Sequence, residues 1–337
     1  MKSRVGVTGV GASTRIVTEI EPEASAEDDS KHPIERRDYL LTTPAIKALF
    51  DQLSEWIEFR TPGAIIAGRP RLGKTRAIEA LVALLAHQLP RLPTHWLSCE
   101  DHEQTTERTF FEDALRDSGH SYVREGTARD KRNRFIELLV QSALDRNESR
   151  VVVFADEAQR LRERQYNWLV DVHNALDRRG VAMMVFLIGQ PELIDVRAGV
   201  LQANKHQIVN RFMVDVIQLR GISSAAELGG CLAAFDAKRW PRAGGCPYPA
   251  HFLPKAARSG WKLKDIADEL WACFDASRRA DRRGTRMEVS MFHFCRTIEI
   301  LLTGFASQTT RECVVSKLAM TEAIKRSGFI VAEAFGA

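Results

Sequence analysis

The chain has 337 residues, of which 45% are hydrophobic and 27% charged. That composition excludes a disordered or fibrous protein and leaves room for one large globular domain with a smaller one beside it. A formal charge of +4 permits a nucleic-acid partner without requiring one, because a strong electrostatic footprint is more basic or more clustered.

Six cysteines (Cys99, Cys231, Cys246, Cys273, Cys295, Cys313) are scattered with no Cys-x-x-Cys, which argues against a disulfide framework or zinc ribbon and for a reducing compartment. Cys231, Cys246 and His251, or His293 and Cys295, do not make four ligands at a metal-binding spacing. The start of the chain lacks an apolar signal core, and no run of about 18 apolar residues occurs, so no membrane association and a cytoplasmic location are expected.

Residues 1–36 mix Gly, Ser, Thr and acidic residues without periodicity and read as a flexible N-terminal arm. Thr43-Pro44 then sets an N-cap with proline in the first helical turn, and Ile46, Leu49, Phe50, Leu53 and Ile57 follow at helical spacing. Short apolar runs alternate with amphipathic segments from there: Ala64–Ala67, His95–Ser98, Val151–Phe154, Val181–Ile188 and Met213–Leu219. Five buried parallel strands separated by helices are predicted, forming an α/β core over residues 37–220. Beyond Arg220 the strand signals stop, and residues 221–337 read as a helical second domain interrupted near Pro241–Gly245 and Arg258–Gly260. Trp261, Leu263, Ile266, Leu270, Trp271 and Phe274 form an apolar stripe there, as do Phe292, Cys295, Ile298 and Leu302; both read as packing.

The strongest chemical signal is Gly68-Arg69-Pro70-Arg71-Leu72-Gly73-Lys74-Thr75, a P-loop pattern placed directly after a predicted strand and before a predicted helix. Glycines let backbone N–H groups wrap phosphates, a lysine reaches the β and γ oxygens, a hydroxyl ligates Mg²⁺, and the helix N-terminus faces the anion. Residues 68–75 and the adjoining Arg76 are therefore the expected ATP-binding segment. Downstream, Val151–Phe154 runs into Ala155-Asp156-Glu157, an apolar strand ending in two acids, the Walker B pattern. Asp156 is expected to hold the Mg²⁺ shell with Thr75, and Glu157 to polarise the attacking water.

These motifs, with the preceding helix, the run Asp156-Glu157-Ala158-Gln159 and the run Ile188-Gly189-Gln190-Pro191-Glu192-Leu193, resemble the TnsC/TniB family of transposition-regulator AAA+ ATPases over roughly residues 33–220. Similar runs also occur in secretion-type ATPases and in DNA-loading helpers of insertion elements. The resemblance implies a P-loop AAA+ core, a five-stranded parallel sheet sandwiched by helices, with a C-terminal helical lid. It implies Gln190 as sensor 1, on a strand lying between those of the P-loop and Walker B, and Arg211 as the arginine finger, with Arg197 as the alternative. Trp261 to Trp271 looks like a lid helix, and Lys262, Lys264 and Arg286 all stay open for sensor 2.

The implied function is a homo-oligomeric ring or filament, assembled with ATP on double-stranded DNA, that links a target-selection protein to a transposase. Arg124, Arg129, Lys131, Arg132 and Arg134 are candidate phosphate contacts, as are Arg278, Arg279, Arg282, Arg283 and Arg286; either group also fits a solvated helix face. The segment from Arg311 to Ala337 is a candidate docking element for a transposase or targeting protein. A protein-directed ATPase or helicase-loader-like helper, and an ATP-dependent scaffold with little turnover, are the competing functions.

Overall fold

A computed structural model describes residues 31–102, 105–241, 244–278, 287–305 and 315–335. Its elements run α1 (Pro33–Arg36), α2 (Pro44–Glu58), β1 (Gly63–Gly68), α3 (Lys74–Gln88), β2 (Thr94–Ser98), α4 (Glu107–Asp117), α5 (Ala128–Leu144), β3 (Arg150–Asp156), α6 (Glu163–Asp177), β4 (Ala182–Gly189), α7 (Glu192–Gln202), α8 (His206–Phe212) and β5 (Asp215–Leu219). The five strands pair in parallel in the order β2-β3-β4-β1-β5, so β4 lies between β1 and β3 as expected. The last predicted strand starts two residues late. Met213 is buried among the helices beside β5, and the ladder to β1 opens at Asp215.

Alternation along the strands assigns a separate core to each sheet face. Ile65, Val151, Val153, Val185 and Leu187 meet α4, α5 and α6 on one side, while Ile66, Val152, Phe154, Phe186 and Ile188 meet α2 and α3 on the other. Covering both faces explains why these strands read as continuous apolar runs. The helix starts follow from local capping: the Thr43 hydroxyl accepts from the Ile46 amide, and Thr127 and Asp130 form a reciprocal box at the start of α5.

The C-terminal region comprises α9 (Ala225–Ala237), β6 (Arg239–Trp240), β7 (Cys246–Pro247), α10 (Tyr248–Phe252), α11 (Pro254–Arg258), α12 (Ala267–Ala276), α13 (Met291–Phe305), α14 (Lys317–Ser327) and α15 (Phe329–Phe335). Its core gathers Leu228, Leu232, Phe235, Leu270, Phe274, Phe294, Ile298 and Ile324. Two expectations change here. A two-stranded ribbon, β6–β7, and a bridge between Ile222 and Val289 interrupt the helical region. The end of the proposed arm is also built into the lid: Ile34, and beyond the arm Leu41, join the lid core, and His32 is buried against the rings of Trp240, Tyr248, His251 and Phe252. Residues 1–30 lie outside the described chain, as do Arg279, Arg282, Arg283, Arg286 and residues 311–314.

Candidate nucleotide-binding site

β1 delivers Gly68 to the carboxyl edge of the sheet, and the loop that follows turns into α3 at Gly73, whose φ of +82° is a left-handed conformation that favours glycine. Arg71 also holds a positive φ of +63°. Lys74 is the first residue of α3. Its ammonium donates to the carbonyls of Gly68 at 2.8 Å and Arg69 at 3.1 Å, so it lies folded back on the loop that would wrap phosphates. Burial pushes its pKa down, while Glu157, Asp156 and Glu192 push it up.

Two strands away, β3 ends at Asp156. One of its carboxylate oxygens accepts the Thr75 hydroxyl at 3.1 Å, and the other accepts the Glu157 amide at 2.9 Å. Burial raises the Asp156 pKa, partly offset by these two hydrogen bonds. A hydroxyl and a carboxylate brought together by separate elements are hard oxygen donors of the kind Mg²⁺ takes, so the residues fit that ion. Glu157 follows with a φ of +54°, and its carboxylate accepts the Gln159 amide group at 2.6 Å.

The cleft continues from the P-loop into a cavity of about 420 Å³, walled by the chain before α2 and by the lid. Tyr39, Leu40 and Leu41 form an apolar side. Arg37, Arg71, Arg76, Arg220, Arg296 and Glu299 also line it, so a mostly apolar cavity carries an excess of cationic side chains, which fits a ligand with an anionic and an apolar end. The lid touches the P-loop directly: the Phe292 amide donates to the Arg71 carbonyl at 3.2 Å, and the Arg71 guanidinium lies 5.7 Å from the Phe292 ring centroid.

Gly68 to Arg76, Asp156 and Glu157 are thus brought into one region. Gln190 follows β4 at the same sheet edge, and its amide is hydrogen-bonded to Gln159. Arg211 lies elsewhere, on α8, where it donates to Asn174 at 3.1 Å; Arg197 donates to the Met213 carbonyl at 2.9 Å. Lys262 and Lys264 line a different cavity, formed by α9 and the chain between α10 and α12, so neither faces the P-loop; Arg286 lies outside the described residues.

The arginine-rich segment divides. Lys131 is fully buried, its ammonium donating to the Val123 carbonyl at 2.7 Å and the Glu125 carbonyl at 3.2 Å and pairing with Glu112 at 3.1 Å. It therefore holds the loop between α4 and α5 and is no surface contact. Arg132 pairs with Glu107 and Asp171, and Arg134 donates to the carbonyls of Tyr122 and Glu125. Arg124 and Arg129 are exposed. In the second basic group Arg278 is buried and pairs with Asp275.

Sequence reasoning missed Tyr39, Gln159, Arg220 and Arg296. Gln159 had a usable signal in its place two residues after Glu157. The others reach the site only through tertiary packing.

The order of the sheet, the P-loop at the end of β1, the paired acids at the end of β3 and the helical lid define the AAA+ ATPase fold. Residues 59–196 match the family model described as an AAA domain. The Aeropyrum pernix ORC2 protein, solved as ADPNP–ADP complexes, is similar with a TM-score of 0.55 and 13% identity over 88% of this chain and 72% of that one. Cdc6p from Pyrobaculum aerophilum is similar with a TM-score of 0.50 and 15% identity over 92% of this chain and 72% of that one. No curated protein matches the sequence. Among the described residues no helix is long and apolar enough to cross a membrane.

Proposed function

We propose that the chain is an ATP hydrolase that oligomerises with ATP on double-stranded DNA and regulates transposition by linking a target-selection protein to a transposase. The observation that carries the catalytic part is the convergence of Lys74, Thr75, Asp156 and Glu157 on one end of the sheet, with Thr75 and Asp156 already in contact at 3.1 Å. In this reading Lys74 leaves the loop carbonyls for the β and γ oxygens, and the backbone of residues 69–73 donates to the phosphates. Thr75 and Asp156 would hold Mg²⁺, which when bound would supply positive charge to those phosphates. Glu157 takes a proton from water as its oxygen bonds to the γ-phosphorus; the bond from that phosphorus to the β–γ bridging oxygen breaks, and ADP and phosphate leave.

The DNA part is supported by the exposed Arg124 and Arg129 beside an exposed Tyr122, a surface able to meet phosphates without reading bases. Arg211 is read as the finger that completes a neighbour's site. The transposition part rests on the resemblance of the motif runs to the TnsC/TniB regulators.

The test is sedimentation and negative-stain imaging with duplex DNA in ATP, a non-hydrolysable analogue, ADP or no nucleotide, at two salt concentrations. ATP-dependent rings or filaments on DNA that weaken with salt are expected. Nucleotide-dependent assembly indifferent to DNA would move the reading to a protein-directed ATPase. In the same protein, Glu157→Gln is expected to bind ATP normally and hydrolyse it slower by orders of magnitude; full activity removes Glu157 from the chemistry.

A further inference from the structure

Gln159 lies in the 3₁₀ turn of Ala158–Arg160, immediately behind the acids of β3. Its Nε2 donates to Glu157 Oε2 at 2.6 Å, and its Oε1 accepts from the Gln190 amide at 3.0 Å. The partners dictate the orientation of this side chain. A backbone N–H only donates and a carboxylate only accepts, so the amide oxygen must face Gln190 and the amide nitrogen must face Glu157. Among carboxylate and carboxamide side chains of this length, only glutamine satisfies both ends, since glutamate offers no donor when ionised.

Two backbone features make the contact possible. Glu157 occupies the left-handed region, uncommon for a residue with a side chain, and this turns the chain so that Gln159 reaches back to it. Gly189, the last residue of β4, leaves the space that the amide fills: a Cβ there would overlap Gln159 Oε1 and lie 3.2 Å from Leu193 Cδ2 and 3.3 Å from the Gln159 backbone nitrogen. Arg160 brings a cation near the same carboxylate oxygen, at 3.8 Å, and its side chain is 45% exposed, so water screens it.

We infer that Gln159 is a positioning residue for hydrolysis: it ties one oxygen of Glu157 to the end of β4 and leaves the other free to take a proton from water. The inference rests on the reading of Glu157 as the base. It makes the β4 end, where Gln190 stands, mechanically continuous with that base through one side chain. A shift of the Gln190 backbone on nucleotide binding is thereby passed to Glu157.

Two variants test it. Gln159→Glu keeps the length of the side chain and removes the donor, setting two carboxylates against each other. Gly189→Ala displaces the flexible amide while leaving Gln159 and Glu157 in the chain. With Gln159→Glu, kcat for ATP is expected to fall roughly 10- to 100-fold near neutral pH with KM within about twofold. Gly189→Ala is expected to lower kcat in the same direction with KM unchanged.

A folded Gln159→Glu protein with wild-type kcat, or with KM raised as much as kcat falls, overturns the inference; if that variant does not fold, wild-type kcat in Gly189→Ala does so. Failure of the underlying reading looks different, as full activity in Glu157→Gln. In that event a double-mutant cycle on melting temperature, Glu157→Ala against Gln159→Ala, needs no turnover. Non-additivity of about 2–4 °C supports the tie, and additive changes overturn it.

Discussion

Replacing Lys131 by methionine separates two roles for a basic residue in a basic segment. The methionine stem fills most of the volume of the lysine, so the loss is electrostatic and leaves little cavity. The ammonium makes contacts of 2.7 and 3.2 Å to the Val123 and Glu125 carbonyls and 3.1 Å to Glu112. Removing it does not orphan all three. Glu112 keeps Arg108 at 3.1 Å and its side chain is 20% exposed, while the Glu125 carbonyl keeps Arg134 at 3.0 Å. What is lost is a set of charge-assisted bonds and the partner of the Val123 carbonyl, about 2–4 kcal/mol in all.

At about 1.4 °C per kcal/mol for a chain of this length, that is a fall in melting temperature of roughly 3–6 °C. Thermal unfolding followed by circular dichroism measures it, and limited proteolysis is expected to cut the chain between α4 and α5 faster. A Lys131→Met protein that melts with the wild type, yet binds duplex DNA more weakly with a salt slope reduced by about one, would refute the reasoning and return Lys131 to the surface.

His32 provides a pH test. Burial, then His251, lowers its pKa from 6.5 to about 4. The unfolded chain therefore binds the proton more readily, so the contribution of His32 is fully present above about pH 6.5 and is lost as pH falls toward about 4. The melting-temperature gap between wild type and His32→Phe is expected to change in the variant's favour over that window, and parallel curves would contradict it. For Arg211→Ala, ATP binding is expected to persist while turnover falls about 10³-fold or more, with part of the activity returning when it is mixed with Glu157→Gln subunits. No recovery on mixing would remove the in-trans role. Arg296→Ala is expected to weaken ATP binding about 10- to 100-fold, as for loss of one charged hydrogen bond, and unchanged affinity in a calorimetric titration would place the guanidinium away from the phosphates.

The order of the core elements was readable because the central strands β3, β4 and β1 are buried on both faces and each chemical motif sits at a strand end. Val151 to Phe154 is continuous and apolar because α5 and α6 cover one face and α2 and α3 the other. Lys131 was misread as part of a charged run. The correcting signal was present: Lys131, Phe135 and Leu139 stand four residues apart on α5, and Phe135 and Leu139 are both core residues, so the lysine shares the buried stripe. Charge suggested a solvated face, whereas the helical period placed the residue inside. Period carries more weight when a loop with free carbonyls precedes the helix, because those groups can satisfy a buried ammonium.

Gln159 and Arg296 fall on opposite sides of what one chain can disclose. Gln159 acts within a few residues of the motif that needs it, so a glutamine two positions after a proposed base can be tested by asking which donors and acceptors lie in reach of one side chain. Arg296 depends on which turn of α13 meets the P-loop. That choice is made by the Phe292 amide bonding to the Arg71 carbonyl and by the packing of Phe294 and Ile298 into the lid core. Phe294 and Ile298 point one helical face inward and carry Arg296 toward the cleft. Periodicity alone therefore yields a stripe and an opposite face without saying what that face sees. A lid cation becomes identifiable only once the docking of two separate cores is known, which is why Lys262, Lys264 and Arg286 stood equal in the sequence, whereas of the two described lysines neither lines the cavity that Arg296 lines.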